Sequence, residues 1–413
     1  MTRSPEMADS EDAMTRSTEM ASMASDDEYA HRLRRVRTSM RTRSLSALVV
    51  TDPANLFYLT GYNAWSFYTP QCLILPADGP PTLFARAMDA AGARHTCNLP
   101  DEQIVGYPET LVHRPDIHPF GWITEAARER GILPAGPDAV VGAECDSHFF
   151  SARAYVDLVA GLDGAKVVDS AELVNWVRLV KSDHEVAQLR IAGQIAEATM
   201  QAALESVWPG RRQCDVAGDI VAAQAKGTAE HGGDYPAIPP MLPTGAAAGT
   251  PHLTWSEQPF IAGEATTIEL AGAFGRYHAP LARTIHLGDP PPLLTDTAKT
   301  VDEALAAGLE AIKPGAIVSD VHATVNDILS RQGLVKESRI GYSIGIGYPP
   351  DWGERTVSLR AADPTVLEAG MAFHVILGIW MDGWGYELSE PIVVSPDGVE
   401  HLTDLPHELT VRK

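Results

Sequence analysis

Cysteine is scarce in this chain. Its 413 residues include four, Cys72, Cys97, Cys145 and Cys214, and no two of them form a Cys-x-x-Cys pair. They read as reduced, buried thiols in a cytoplasmic protein rather than a disulfide framework. Long apolar runs are missing too. Nothing approaches the ~20 residues of a membrane-spanning helix, and the first residues lack the apolar core of a signal peptide. Basic residues are few: lysine and arginine number 32 against 54 aspartates and glutamates, a formal charge of −22. So acidic a chain repels nucleic acid and anionic membranes, and neither is expected as a partner. It suits a cation, a zwitterion or a salt-rich cytoplasm, although an acidic soluble surface is the plainer account.

What is present is a hydrophobic content of 45% over a length that calls for two domains. Residues 1–27 are polar and poor in aromatics, the composition of a disordered extension, and within them Met1-Thr2-Arg3-Ser4 recurs as Met14-Thr15-Arg16-Ser17. Ser25 followed by Asp26, Asp27 and Glu28 has the pattern of a helix N-cap. Residues 28–170 then alternate helix with short buried strands at 47–50, 72–75, 82–85, 140–142 and 166–169, an α/β domain. Residues 171–413 form the second domain. A long amphipathic helix over 183–207 aligns Val186, Leu189, Ala192, Ile195 and Met200 near a 3.6-residue period. Strands follow at 265–274 and 277–287, then a helix pair at 293–313 and 318–332, then strands at 371–380 and 386–395.

The most informative stretch runs through Glu269-Leu270-Ala271-Gly272, Tyr277 and Ala282-Arg283-Thr284. It resembles the first metal-ligand strand pair of the pita-bread enzymes, the aminopeptidase P, prolidase, methionine aminopeptidase and creatinase family. The resemblance covers about residues 45–405. It implies an α+β chain, with a pita-bread catalytic domain behind a creatinase-type N-terminal α/β domain. It also implies a dinuclear metal site built from two Asp, one His and two Glu. Those ligands fall here on Glu269, Pro280, Tyr342, Ile376 and Ser389, with Glu390 one position from the last. Such a site needs bridging carboxylates to balance two cations, so no metal and no cofactor is expected. The two glutamates that creatinase uses without metal fall on Ala282 and Ile376, which argues against creatine hydrolysis.

A tighter resemblance lies in Gly61-Tyr62-Asn63-Ala64-Trp65-Ser66-Phe67-Tyr68, Gly232-Gly233-Asp234-Tyr235-Pro236, Pro251-His252-Leu253-Thr254-Trp255 and Gly378-Ile379-Trp380-Met381-Asp382-Gly383-Trp384. These runs are similar to the ectoine hydrolases, a metal-free branch of the same fold. The branch implies that Glu269 attacks the amidine carbon of ectoine. His252 corresponds to an acid/base histidine of the fold, and an imidazole is a side chain that can both take and return a proton. A buried Glu269 needs compensation, either from a cationic ligand or from a salt bridge to Arg283. The expected substrate-binding set is Tyr62, Trp65, Phe67, Asp234, Tyr235, Trp255, His278, Arg283, Tyr342, His374, Trp380 and Glu390. Its aromatics offer faces to a cation, with core packing the competing account of each; for His278 and His374 that account is ordinary hydrogen bonding. The resemblance further implies a small-molecule substrate, an N-acetyl-2,4-diaminobutyrate product and a homodimer in which Trp65 reaches a neighbour's site. An Xaa-Pro dipeptidase-like metallopeptidase and a non-catalytic ligand-binding protein remain alternatives.

Overall fold

The computed structural model describes residues 24–413. The expected disorder of residues 1–27 and the internal repeat thus fall, up to residue 23, outside the described residues. Helix α1 (Asp26–Thr42) starts where the N-cap pattern placed it, with the Ser25 side chain accepting from Glu28 N. The chain divides into two units between Arg178 and Leu179, after the strand at Lys166–Asp169 rather than directly at its end. The intervening turn makes one more helix, at Leu173–Arg178, that packs with the first unit.

The first unit is built on a six-stranded sheet of β1 (Ala47–Val50), β2 (Cys72–Pro76), β3 (Thr82–Arg86), β4 (Ile104–Tyr107), β5 (Val140–Ala143) and β6 (Lys166–Asp169). Its order is β4-β3-β2-β1-β5-β6. Only β2 runs antiparallel to its neighbours, as the hairpin turn at Gly79 requires. Helices α2 (Pro53–Thr60), α3 (Ala87–Thr96), α4 (Pro119–Glu129), α5 (Ala152–Gly161) and α6 (Leu173–Arg178) complete it. Phe120, Ile123 and Leu158 from α4 and α5 close one core with Val49, Ile74 and Phe84 of the sheet.

The second unit begins with α7 (Asp183–Ser206), whose start is fixed by a capping box between Ser182 and Glu185, and α8 (Gln213–Lys226). Then come β7 (Ala265–Phe274), β8 (Tyr277–Leu287), α9 (Pro292–Ala311), α10 (Val318–Arg331), β9 (Gly341–Tyr348), β10 (Asp351–Ser358), β11 (Ala372–Met381), β12 (Trp384–Ser395), β13 (Gly398–His401) and β14 (Thr410–Arg412). The sheet order is β13-β12-β11-β9-β8-β14, with β7 added on β8 and β10 on β9. Helices lie against this sheet, and the expected pita-bread α+β architecture is what the unit adopts.

Glycine decides how closely the helix meets β7. A Cβ on Gly272 would sit 2.1 Å from Ala192 O and 2.3 Å from Ala196 N, so the backbone of α7 presses on that face of the strand. Side chains alternate along a strand, so Glu269 points to the opposite face. Glycine also explains why β9 and β10 are not legible as strands. Gly-Tyr-Ser-Ile-Gly-Ile-Gly has weak strand propensity. Yet a Cβ on Gly345 would meet Glu354 Oε1 at 2.3 Å, and one on Gly347 would meet His278 Nδ1 at 2.9 Å. Those glycines mark close approach of neighbouring chains rather than a loop.

Strands β8 and β12 are not sheet neighbours; side chains join them. Thr284 Oγ1 donates to Glu387 O and accepts from Glu387 N, both at 2.9 Å. Ser389 Oγ accepts from Ala282 N at 2.7 Å. Arg283 Nη1 donates to Ser389 O at 2.6 Å.

Candidate active site

Glu269 pairs in register with Ala282, and Arg283 with Ile268. Paired residues share a face and successive ones alternate, so the expected salt bridge between Glu269 and Arg283 does not form. Arg283 instead reaches the buried Glu390, Nη2 to Oε1 at 2.5 Å. It also donates to Pro406 O at 2.9 Å, Ala282 O at 3.0 Å and Leu405 O at 3.1 Å. Glu390 accepts further from Thr403 Oγ1 at 2.9 Å and His407 Nε2 at 3.1 Å. Burial pushes its carboxyl up, but the bonds from His401 and His407 and the Arg283 charge prevail and hold it at about 2. The pair's contacts lie within the fold, and neither residue is among those that line the cavity around Glu269.

That cavity has a volume of about 190 Å³, below the ~300–1,000 Å³ of sites for drug-sized ligands. Glu269 of β7 and Glu387 of β12 both enter it, 7% and 4% exposed. Burial, and then the neighbouring Glu387 carboxylate, push Glu269 well above the usual carboxylate range. Burial likewise raises Glu387, to about 7, against the opposing pull of Lys336. Lys336 follows α10 and lines the same cavity, with Nζ donating to Ser338 Oγ at 3.0 Å and Gly378 O at 3.3 Å. Trp380 forms another wall: a Cβ on Gly378 would lie 2.3 Å from its Cζ2, so the indole uses the space that glycine leaves. Arg339 is exposed, with its guanidinium 4.2 Å over the Tyr342 ring. His252 is exposed on the segment after Ala248, in a left-handed backbone conformation at φ 65°, and lines the cavity beside Pro251.

Of the expected site residues, Glu269, His252, Tyr342 and Trp380 thus share one cavity. His374 stands behind Tyr342, its Nδ1 2.9 Å from the Tyr342 hydroxyl and its Nε2 2.7 Å from Ser389 Oγ. Burial keeps that imidazole neutral, its pKa down at about 3. Trp352 Nε1 donates to the Tyr342 hydroxyl from the other side, at 2.8 Å. His278 is fully buried, accepting from Ala237 N at 2.9 Å while Nδ1 meets Arg276 O at 2.8 Å. Burial, then the Arg276 charge, hold it far below its ordinary value. Asp234 accepts from Arg276 N at 2.8 Å, and the Tyr235 ring lies 3.9 Å under the Arg276 guanidinium. Both brace the β7–β8 turn. Trp255 is 37% exposed and not among the lining residues. Tyr62, Trp65 and Phe67 belong to the first unit. There Tyr62 OH meets Ser66 Oγ at 2.6 Å, Trp65 is 58% exposed, and Phe67 packs 4.9 Å from Trp65.

The residues that sequence reasoning missed are Glu387, Lys336 and Arg339. Glu387 had a signal: it lies two residues before Ser389, on the same inward phase of β12. Lys336 and Arg339 sit in a short polar connection that reads as surface.

The fold's metal centre can be tested against these side chains. Glu269 retains a carboxylate and Tyr342 a phenol. Ile376 presents hydrocarbon to the cavity, Pro280 has no donor, and the Ser389 hydroxyl already meets Ala282 N and His374 Nε2. This donor set does not fit a dinuclear centre, which needs several bridging carboxylates. Among the described residues, no group of three or more His, Cys, Asp or Glu is arranged to hold a metal ion.

Comparison with known proteins follows the same lines. The profile of metallopeptidase family M24 matches residues 187–396, and that of the creatinase/prolidase N-terminal domain matches residues 32–180. An ectoine hydrolase of Halomonas elongata is 42% identical over 394 residues, covering 94% of this chain and 98% of the relative. An uncharacterised hydrolase/peptidase of Sinorhizobium fredii is also 42% identical, with the same coverage. Among solved structures, dipeptidase PepE from Mycobacterium ulcerans matches with a TM-score of 0.78 at 25% identity, over 94% of this chain and 99% of that one. Prolidase from Thermococcus sibiricus matches with a TM-score of 0.81 at 18% identity, over 94% and 100%, a likeness of fold alone.

Proposed function

The chain belongs to metallopeptidase family M24, and from that premise we propose that it is a hydrolase that opens the ring of ectoine or 5-hydroxyectoine without a metal ion. The observation that carries this reading is a small cavity lined by two buried carboxylates and an indole while the family's other metal-ligand positions hold Pro280, Tyr342, Ile376 and Ser389. Ectoine is a zwitterion, a cyclic amidinium bearing a carboxylate. Its cation suits the carboxylates and the Trp380 face, and its anion suits Arg339 at the exposed end.

In the proposed reaction a Glu269 oxygen bonds to the amidinium carbon, and the C=N π pair moves onto a ring nitrogen. One ring nitrogen then takes up a proton and leaves with the C–N bonding pair. Water completes the amide, with His252 as the base that receives its proton. The product is an N-acetyl-2,4-diaminobutyrate. The cytoplasmic setting, the homodimer and the reach of Trp65 into a neighbouring subunit's site belong to the same proposal.

Incubating the purified protein with ectoine, before and after exhaustive chelation, tests the reading. Ring-opened product should form at equal rates in both. Activity that disappears on chelation and returns with a divalent metal would favour the dipeptidase-like alternative, and tight ectoine binding without turnover a binding protein. Replacing His252 by asparagine, which tolerates positive φ but has no basic nitrogen to accept a proton from water, is expected to lower turnover about 10²–10⁴-fold. Because His252 is exposed, the thermal midpoint should stay within a degree or so of wild type, on the order expected for a surface change.

A further inference from the structure

We propose that Glu387 is a second catalytic carboxylate, which hands the departing ring nitrogen its proton, and that Lys336 is the positioning residue that governs when it can. The inference rests on the amidine-hydrolase reading and adds the proton source that reading lacks. Glu387 lies in the same cavity as Glu269. It does not drift there, because Thr284 Oγ1 holds its backbone on both the N–H and the C=O side. Its register partner on β11 is Gly378, whose carbonyl receives a hydrogen bond from Lys336 Nζ. Lysine and glutamate therefore converge on one point of the cavity wall, from a connection and a strand with no other reason to meet there. The titratable and charged groups sharing the cavity with Glu387 are Glu269 from β7, Tyr342 from β9, His252 from its loop, and Lys336 and Arg339 from the α10–β9 connection.

Two buried carboxylates in one cavity do not both ionise readily near neutral pH. The directions agree: Glu269 is held well above the usual range by burial and by Glu387, Glu387 is raised to about 7, and burial lowers Lys336 to about 8. An arriving amidinium supplies the positive charge that lets Glu269 ionise and leaves the remaining proton on Glu387. Attack by Glu269 then gives a neutral adduct. Glu387 donates its proton to one ring nitrogen, the C–N pair stays on that nitrogen as an amine, and the other nitrogen carries the resulting cation with carbon. Water adds to that carbon and the Glu269–carbon bond breaks, its pair returning to the carboxylate. Two protons are released in that step. One passes through His252 and restores Glu387; the other makes the departing amine an ammonium. The cycle neither gains nor loses a proton.

The test uses the full chain and ectoine, with intact-protein mass after acid quench beside steady-state turnover. Glu387→Gln should turn over about 10²-fold or more slowly than wild type while its mass increases by one ectoine, because attack needs only Glu269. Glu269→Gln should show no adduct. Glu387→Asp, which keeps a carboxyl group, should recover part of the lost rate. Lys336→Met removes the charge that favours ionised Glu387, so Glu387 should hold its proton to higher pH and the alkaline limb of kcat should move up. Glu387→Gln turning over within about threefold of an active wild type, or slowing without an adduct at an unchanged thermal midpoint, overturns the role of Glu387 alone. An unmoved alkaline limb in Lys336→Met overturns that of Lys336. No ring-opened product from wild type overturns the amidine reading and the proton role with it.

Discussion

Replacing Glu269 with glutamine is expected to cut ectoine turnover by at least about a thousandfold, the scale at which removal of a covalent nucleophile acts. The shape of the site should survive. Glu269 is held on β7 by its backbone, through mutual bonds with Met241 at 2.9 and 3.1 Å, and by the register with Ala282. The substitution also removes an electrostatic burden. A carboxyl whose pKa is raised on folding binds its proton more tightly in the native than in the unfolded chain. The free protein therefore loses stability as pH rises from the ordinary carboxylate range toward the raised value. His374 acts in the opposite sense, since its depressed value favours the native state as pH rises from about 3 toward its ordinary value. The difference between wild type and Glu269→Gln isolates the carboxylate. Thermal midpoints should agree near pH 4, and the glutamine variant should be the more stable at pH 8. A variant that keeps full turnover sinks the covalent scheme; one that melts earlier than wild type at pH 8 contradicts the account of the buried pair.

Arg283→Met is expected to have the largest effect on stability, a loss of about 3–5 kcal/mol in urea titrations at neutral pH. The methionine fills much of the volume but abandons Glu390 among buried neighbours, and it leaves the carbonyls of Ala282, Ser389, Leu405 and Pro406 without their donor. Glu390 is lowered to about 2, so its stabilising contribution is present above the usual carboxylate value and is lost as pH falls through about 2. The deficit should accordingly shrink in acid. Pairing the change with Glu390→Leu should restore much of the stability, since an apolar pair replaces an orphaned charge. Arg283 faces away from Glu269, so KM for ectoine should stay within about twofold of wild type when corrected for the folded fraction, on the scale of a residue outside the site. A large rise in KM would return Arg283 to the substrate-binding role expected of its type.

The same residue shows what a one-dimensional reading carries and what it loses. Strands β7 and β8 were legible to the residue, because the turn at Gly275-Arg276 divides two long runs otherwise suited to strands. The helix expected over 183–207 was legible from its period and ends one residue sooner, at Ser206. Glu269, His252, Tyr342 and Trp380 could be assembled by resemblance, since each lies at a marked position of a known pattern. Arg283, Glu390, His278 and His374 were expected at the substrate for their chemistry. Their actual partners are mostly backbone atoms and neighbours far along the chain, which residue type does not reveal. Glu387 escaped notice for the converse reason. Its neighbours Ser389 and Glu390 lie at the family's ligand position, and only strand phase shows that 387 and 389 share a face while 390 does not.

The hydroxyl links between β8 and β12 carry a further consequence for how the chain matures. Thr284 and Ser389 join two strands that exchange no ladder hydrogen bonds, and every atom in those links comes from the polypeptide itself. The register of β8 against β12 is therefore held by hydroxyls that the sequence itself carries, at Thr284 and Ser389.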